Sequence, residues 1–339
     1  MKAKTDRIMA GRGCKIMCKS LAPGMLMKTI VLALGILMLW RIDRAQGESW
    51  QPSSGHSQVA LWPGPVPDAS PVADSEVTTI VEEREFVAGR PWLYIEKVSK
   101  PTMTIYSPPG INTGVAVVVF PGGGYQGLAI DLEGTEVCDW LTAKGITCVL
   151  LKYRVPGNGH IPHSGAYPNS PAALEDAQRT MGLVRLHASE WHVDPHKIGV
   201  LGFSAGGHLV AAISTNFMKR LYPHVDAADE ESCRPDFGVA IYPGHMMEHT
   251  SKRFELNPYI PVTGKTPPQF LLQDEDDPVD DVQNSLVYYA ALTKAGVPVE
   301  MHLYAQGGHA FGMRRTKFPV TAWPQLVETW LGTIGMTAK

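Results

Sequence analysis

The feature that most constrains the fold is a serine between small residues, placed where an apolar run ends. Residues 199–207 read Gly-Val-Leu-Gly-Phe-Ser-Ala-Gly-Gly, and within them Gly202-Phe203-Ser204-Ala205-Gly206 fits the pattern G-x-S-x-G. The run from Ile198 is typical of a buried strand, and the residues from His208 onward are compatible with a helix. A strand that reverses directly into a helix forces the serine into a strained conformation, and the glycines keep side chains out of the crowded turn. The pattern therefore predicts an elbow that projects Ser204 Oγ.

Strands and helices alternate along most of the chain, which predicts an α/β fold. The segments Tyr94–Val98 and Met103–Tyr106 are predicted to form an early β pair. Because strands separated by helices require crossover connections, we expect a mostly parallel sheet of about eight strands with helices on both faces. Further strands are predicted at 115–120, 146–151, 198–201, 237–242, 269–272 and 299–304, and helices at 133–144, 172–191, 285–295 and 326–330.

The N-terminal region has the pattern of a targeting segment. A twelve-residue apolar run, Thr29–Trp40, is preceded by Lys28 and followed by Ala45-Gln46-Gly47, a small-x-small cleavage signal. The run is shorter than the ~20 residues of a membrane span, although an uncleaved anchor stays open. We therefore expect a signal peptide at 1–47, a Pro/Ser-rich tail lying over the domain at 48–75, and a single domain at 76–339, in a secreted or periplasmic protein.

Charge and cysteine content exclude several classes of protein. Removing residues 1–47 leaves 21 basic and 31 acidic residues, a net charge of −10. Such a surface repels nucleic acid and anionic membranes and suits neutral substrates, so we expect no nucleic-acid partner and no stable membrane insertion after cleavage. Cys138, Cys148 and Cys233 remain; the first two are interpreted as small core residues, although one disulfide bond among the three stays open.

A serine nucleophile needs a base, and the base needs an acid that fixes its tautomer. His309, in a glycine-rich segment just past the last predicted strand, is the candidate base. The acid should follow the preceding strand, where four consecutive acidic residues begin at Asp274. The pattern Asp-x-Val, with Val279 expected to insert into the core, favours Asp277, with Asp276 or Asp274 as alternatives.

A glycine-rich loop follows the first central strand, where backbone N–H groups could stabilise an oxyanion. In Phe120-Pro-Gly-Gly-Gly-Tyr125 the donors are predicted to be Gly123 and Gly124, together with the N–H of Ala205. The loop lacks the Lys-Ser/Thr ending of a phosphate-binding loop, so nucleotide binding is not expected. No cofactor is expected, and no metal, because in His245-Met-Met-Glu-His249 no glutamate follows the first histidine. The predicted pocket walls are Tyr125, Leu128, Tyr242 and His245.

With these motifs the chain resembles the α/β-hydrolase superfamily, and within it the bacterial secreted acetyl-xylan-esterase-like carboxylesterases. The resemblance covers about residues 95–335 and includes an HGGG-type loop in which Pro121 replaces the histidine. It implies triad roles for Ser204, Asp277 and His309, and hydrolysis of short-chain esters, with carbohydrate esters among the expected substrates. The segments that carry it are Phe120–Tyr125, Leu128-Ala129, Asp131–Gly134, Lys152–Arg154, Asp176–Arg179, Gly202–His208, Asp276–Val279 and Gly307–Gly312.

The motifs therefore favour a serine esterase that acts through an acyl-enzyme, and the resemblance implies acetyl esters, such as those of acetylated xylan, as its substrates. Two alternatives stay open: a prolyl-oligopeptidase-type serine peptidase, and a non-catalytic carbohydrate-binding protein on a hydrolase fold. Glycosidase chemistry is not expected, since it requires two carboxylates flanking a sugar bond.

Overall fold

The computed structural model describes residues 49–69, 75–155, 165–247 and 254–338. The expected signal peptide at 1–47 lies outside the described residues. Residues 45–339 form one compact unit. No helix among the described residues has both the length and the apolar character needed to cross a bilayer.

An eight-stranded mixed sheet forms the centre of the fold, in the order β1-β4-β7-β5-β8-β9-β10-β11. The pairs β1–β4 and β4–β7 are antiparallel, and the remaining pairs are parallel. The prediction of a mostly parallel sheet of about eight strands is confirmed. The strands are β1 (Gln58–Ala60), β4 (Thr102–Tyr106), β5 (Ala116–Phe120), β7 (Thr147–Lys152), β8 (Ile198–Phe203), β9 (Gly238–Ile241), β10 (Gln269–Asp274) and β11 (Val299–Tyr304).

In the described part of the chain, five α-helices flank this sheet. Every residue of β5, β7, β8 and β10 is buried, which requires cover on both faces and explains why the central residues of these strands are mostly apolar. Helix α2 contacts α3, and the Trp140 ring of α1 lies 5.3 Å from the Trp323 ring of α5. The helices are α1 (Glu136–Ala143), which follows a π-helical turn at Asp131–Thr135, α2 (Ala172–Leu186), α3 (Ala205–Thr215), α4 (Gln283–Lys294) and α5 (Trp323–Thr333).

The expected early β pair is wrong, because its two members belong to different sheets. A small second sheet has the order β2-β3-β6, formed by β2 (Val77–Ile80), β3 (Leu93–Glu96) and β6 (Gly127–Ala129). Strand β3 pairs with β2 and with β6, which follows the glycine-rich loop, whereas β4 pairs with β1 and β7. The small sheet therefore braces the segment that leaves the glycine-rich loop.

The segment at 48–75, expected to lie over the domain, is partly built into it. Strand β1 extends the edge of the central sheet by pairing with β4. Leu61 is buried, and the indole Nε1 of Trp62 donates a hydrogen bond to Asp176 Oδ1 at 2.9 Å. Asp176 in turn pairs with Arg154, so this segment is tied to α2 and to the end of β7.

The disulfide bond that the sequence left open lies between Cys138 and Cys148. The two form a disulfide bond that joins α1 to β7, and Cys233 is a buried free thiol whose Sγ contacts Phe217 O at 3.3 Å. Both bonded side chains are buried, as expected for core positions. The bond therefore crosslinks a helix to the strand that it covers.

Candidate active site

Ser204 is the single residue between β8 and α3, and its backbone is strained. Its φ of +52° and ψ of −119° lie in a region that non-glycine residues seldom adopt. A Cβ on Gly202 would lie 2.2 Å from the Gly206 carbonyl oxygen, and one on Gly206 would lie 2.0 Å from that of Phe120. Both positions therefore require glycine, for the steric reason that the pattern implied.

The structure brings Ser204, His309 and Asp277 into one hydrogen-bonded chain. His309 Nε2 lies 3.0 Å from Ser204 Oγ, and His309 Nδ1 lies 2.7 Å from Asp277 Oδ2. The Asp277 side chain is fully buried and that of His309 is 10% exposed. The three residues follow β8, β10 and β11, whose carboxyl ends lie along one edge of the sheet. This arrangement can pass a proton from the hydroxyl to the imidazole while the carboxylate holds the imidazole in place.

The electrostatic surroundings of His309 favour its protonated form. Burial lowers the pKa of the imidazole, but the hydrogen bond and charge of Asp277 outweigh it, so the pKa lies above the ordinary histidine value. Asp280 and Glu133 act in the same direction. An imidazolium formed after proton transfer is therefore stabilised where it arises.

The three carboxylates considered as the acid occupy three different environments. Asp277 contacts His309 and also accepts the N–H groups of Val279 and Asp280 at Oδ1. Asp276 accepts the N–H groups of Gly307 and Gly308, and so holds the loop that carries the histidine.

Asp274, the third of these carboxylates, is buried at the end of β10. Within the described residues neither of its carboxyl oxygens has a hydrogen-bond partner. Burial raises its pKa to about 7, with the charges of Asp276 and Asp277 adding to the effect. The reason given for choosing Asp277 was wrong, since Val279 is 65% exposed instead of inserted into the core. Asp277 is instead positioned by the turn that its own carboxylate closes.

The glycine-rich loop passes close to the nucleophile, as predicted. Gly123 and Gly124 have φ of +138° and +64°, and a Cβ on Gly123 would lie 2.2 Å from the Gly127 carbonyl oxygen. The N–H of Gly122 is already bonded to Glu133 Oε2 at 2.7 Å. A Cβ on Gly122 would lie 3.0 Å from Ser204 Cβ, which places the loop against the elbow. The loop that carries Gly123 and Gly124 therefore lies against the nucleophile, while the role of these two residues and Ala205 as oxyanion donors stays a prediction.

Comparison with known proteins identifies the family. A crystal structure of an acetyl ester-xyloside bifunctional hydrolase from Caldicellulosiruptor lactoaceticus is 31% identical, with a TM-score of 0.64, and the alignment covers 83% of this chain and 97% of that one. The chain belongs to the α/β-hydrolase superfamily, among its acetyl-xylan-esterase-like esterases.

Matches to parts of the chain agree with this assignment. The BD-FAE family matches residues 103–242, and the prolyl oligopeptidase family (Peptidase_S9) matches residues 174–332. An acetylxylan esterase of Xylanibacter ruminicola is 31% identical over 60% of this chain, and endo-1,4-beta-xylanase B of Butyrivibrio fibrisolvens is 26% identical over 80%. The chain spans 42% of the length of each of these two relatives.

The predicted pocket walls of this α/β-hydrolase are mostly interior residues. Leu128 and Tyr242 are fully buried and Tyr125 is 3% exposed, so the prediction that these three line an open pocket is wrong. Tyr125 OH bonds instead to His208 Nδ1 at 2.8 Å. Burial lowers the pKa of His208 to about 3, and His245 adds to the effect, so His208 is neutral at neutral pH. His245 is half-buried, with its ring 5.7 Å from that of Tyr125, and is the one member of the predicted set with appreciable exposure.

Sequence reasoning missed Glu133, which joins the two loops of this esterase site. Its Oε2 accepts the N–H of Gly122, and its Oε1 accepts the hydroxyl of Tyr242 at 2.8 Å. The Tyr242 oxygen in turn accepts the N–H of Gly312, in the segment that carries His309. Burial raises the pKa of Glu133, and the hydrogen bond from Tyr242 is the largest effect that lowers it. The signal that could have identified Glu133 in the sequence is an acidic residue placed shortly after the glycine-rich loop.

No group of three or more His, Cys, Asp or Glu side chains in the described ranges is arranged to hold a metal ion. His249, the second histidine of the motif considered for zinc, lies outside those ranges.

Proposed function

We propose that this protein is a serine esterase that hydrolyses short-chain esters, acetyl esters above all, on carbohydrate such as acetylated xylan. The observation that carries the proposal is the hydrogen-bonded chain Ser204–His309–Asp277 at the elbow, with distances of 3.0 and 2.7 Å. Two similar proteins, an acetylxylan esterase and an acetyl ester-xyloside hydrolase, support the proposal that the substrate is an acetyl ester of a sugar.

Acylation begins with the proton of Ser204. His309 Nε2 takes this proton as Oγ attacks the ester carbonyl carbon, and the carbonyl oxygen becomes an oxyanion. The N–H groups of Gly124 and Ala205, with that of Gly123, donate to this oxygen; each such donor contributes about 2.7–4 kcal/mol to lowering the barrier. The bond from carbon to the alcohol oxygen then breaks, and His309 returns the proton to the departing alcohol.

Deacylation repeats these steps with water in place of serine. His309 takes one proton from the water, whose oxygen attacks the acetyl carbon, and this proton passes to Ser204 Oγ as acetic acid leaves with the other water proton and then ionises in solution. Asp277 accepts the Nδ1–H of His309 throughout. Every proton and electron pair is accounted for by the protein, the ester and water.

The decisive experiment replaces the nucleophile. Ser204→Ala is expected to reduce kcat for p-nitrophenyl acetate by roughly 10⁶ and to abolish labelling by a fluorophosphonate probe. Ser214→Ala is the matched control, because Ser214 is a buried serine of α3, the helix that follows Ser204, and its hydroxyl oxygen accepts a hydrogen bond from Gln269 instead. Turnover by Ser204→Ala within tenfold of wild type would refute the assignment.

The proposed substrate is tested by two comparisons, first of acetyl esters with longer acyl esters and then of acetyl esters with peptide amides. Acetylated xylan and acetylated monosaccharides are expected to be deacetylated faster than an acyl-chain series from butyrate upward. The peptidase alternative is not favoured by the esterase relatives; cleavage of prolyl peptide amides faster than acetyl esters would reverse this preference.

We also propose a secreted or periplasmic location, with a signal peptide removed after Gly47. The apolar run Thr29–Trp40 and the disulfide bond Cys138–Cys148 support it, since such bonds persist in oxidising compartments. N-terminal sequencing of the protein recovered outside the cytoplasm is expected to begin at Glu48. An intact Met1 would refute the cleavage.

A further inference from the structure

A second carboxylate, Asp280, lies beside the reacting atoms. Ser204 Oγ donates to Asp280 Oδ2 at 3.2 Å, and the same oxygen is 3.8 Å from His309 Nε2. Asp277 already orients His309 from the opposite ring nitrogen. The proposed acyl transfer therefore has no step that needs the carboxylate of Asp280.

The position of Asp280 is built into the loop. Its N–H donates to Asp277 Oδ1 at 3.0 Å, and its carbonyl oxygen accepts Gln273 Nε2 at 2.7 Å. A Cβ on Gly244 would lie 2.3 Å from Asp280 Oδ1, so the side chain fills space that only glycine leaves open. Its side chain keeps 16% exposure, which leaves it accessible to a bound ester. The carboxylate is thus fixed next to the nucleophile and is partly exposed.

Geometry places Asp280 on the leaving-group side of the site. His309 Nε2 must reach the alcohol oxygen to protonate it, whereas the oxyanion points to Gly124 and Ala205. An acceptor within 4 Å of Nε2 therefore lies close to the carbons that bear this alcohol oxygen. In a sugar, the hydroxyl on the neighbouring carbon is about one hydrogen-bond length from the ester oxygen, and so within reach of Asp280.

We propose that Asp280 determines specificity by accepting a hydrogen bond from a free hydroxyl on the carbon next to the esterified one. The inference rests on the proposed esterase function and deepens it. The favoured substrate is a monoester of a vicinal diol, as in a partly acetylated sugar. When that hydroxyl binds Asp280, it takes the place of the Ser204 hydroxyl, which then donates to His309 alone.

The charge of Asp280 also affects the titration of His309. Four carboxyl groups face this imidazole: Asp277 at Nδ1, Asp280 at Nε2, and Glu133 and Asp274 through their charge. Removing the charge of Asp280 therefore lowers the pKa of His309. The acid limb of kcat/KM, which reports the free enzyme, moves to lower pH.

The test uses two acetates that differ only in the neighbouring oxygen. trans-2-Hydroxycyclohexyl acetate offers the hydroxyl, and trans-2-methoxycyclohexyl acetate replaces it with an ether that cannot donate. Wild type is expected to prefer the hydroxy ester in kcat/KM by about 10-fold or more, as for a hydrogen bond to a charged acceptor. Asp280→Ala is expected to abolish this preference, and Asp280→Asn to reduce it less, because a neutral amide oxygen still accepts.

Asp281→Asn is the matched control, since it removes one negative charge from the adjacent exposed residue. The Asp281 carboxylate accepts the Gln283 N–H instead of contacting Ser204. This variant is expected to keep both the preference and the acid limb of wild type. Thermal unfolding of each variant confirms that it folds.

Two results separate the inference from the proposed function. Equal preference for the hydroxy ester in wild type and Asp280→Ala, with both enzymes active on p-nitrophenyl acetate, overturns the inference and leaves the esterase intact. Absence of acetyl-ester hydrolysis by wild type overturns the proposed function first.

Discussion

Replacing Glu133 by glutamine tests whether one buried carboxylate positions both catalytic loops. Glu133 is 2% exposed and accepts the N–H of Gly122 at 2.7 Å and the hydroxyl of Tyr242 at 2.8 Å. Both partners are donors, because the Tyr242 oxygen already accepts the N–H of Gly312. Glutamine supplies only one acceptor oxygen, so its amide group must face one of these donors. The substitution therefore breaks the link on one side while keeping the size of the side chain.

The effect on stability is expected to be small. A hydrogen bond to a charged group contributes about 1.5–3 kcal/mol, and one such bond is lost. Burial of the charge, the largest effect on the Glu133 pKa, opposes folding and is relieved by the same substitution. Since the two effects oppose each other, we expect the free energy of unfolding to change by less than about 2 kcal/mol.

The effect on catalysis is expected to be larger and confined to kcat. A displaced glycine-rich loop weakens contacts made only to the oxyanion, and removing one such donor costs about 10²–10³ in kcat. Partial displacement through Gly122 should therefore lower kcat by roughly 10-fold to 10³-fold with KM little changed. Loss of the Glu133 charge also lowers the pKa of His309, so the acid limb of kcat/KM should move to lower pH.

The assay is steady-state hydrolysis of p-nitrophenyl acetate across pH, together with urea unfolding. Glu175→Gln is the matched control, because Glu175 is a fully buried glutamate on α2 that pairs with Arg154. It should alter stability without altering kcat. Tyr242→Phe completes a double-mutant cycle, in which positions in one network show coupling of about 0.5–3 kcal/mol. An unchanged kcat in Glu133→Gln, or strictly additive effects with Tyr242→Phe, would refute the positioning role.

Three further outcomes follow from the geometry. Asp277→Asn should lower kcat by roughly 10⁴, because His309 loses the partner that fixes its tautomer; a fall of less than tenfold would contradict the triad. Replacing Cys138 and Cys148 by alanine should cost about 2.5–3 kcal/mol in urea unfolding, the loop entropy for a separation of 10 residues; no loss would count against this estimate. Asp274 has a folded pKa raised to about 7 from 3.8, so its stabilising contribution falls between about pH 4 and 7. Asp274→Asn should therefore gain stability relative to wild type as pH rises through this range. A difference in free energy of unfolding between the two proteins that stays constant with pH would contradict a raised Asp274 pKa.

The parts of the fold that the sequence predicted depend on local constraints. Gly202 and Gly206 are needed within one turn of Ser204, so the five residues from Gly202 to Gly206 are enough to predict the elbow. The buried strands show as apolar runs, and the carboxyl ends of parallel strands meet at one edge of the sheet. Positions just past β10 and β11 could therefore be matched to an acid and a base before the structure placed Asp277 and His309 in contact.

The parts that the sequence did not predict depend on which distant segments meet. The run 93–96 has the composition of a strand, but its partner β6 comes after the glycine-rich loop, and nothing in either segment specifies that pairing. Tyr242 follows a buried strand and was expected at a pocket wall. Its φ of +37° and its bond to Glu133, 109 residues away, instead place it in the interior. Val279 was assigned to the core from a pattern, whereas the turn closed by Asp277 leaves it in solvent.

The position of Asp280 shows why a correctly predicted triad does not by itself predict substrate specificity. Residues 274–281 include six acidic residues, a pattern that predicts a solvated surface, and Asp281 is exposed as this pattern implies. One residue earlier, two backbone hydrogen bonds turn a carboxylate of the same type toward a serine 76 positions away. Composition assigns both residues the same environment, whereas the turn gives one of them contact with the nucleophile. Because the proposed reaction uses Ser204, His309, Asp277 and the backbone N–H groups but not Asp280, the choice among alcohols can depend on a residue that none of the catalytic motifs contains.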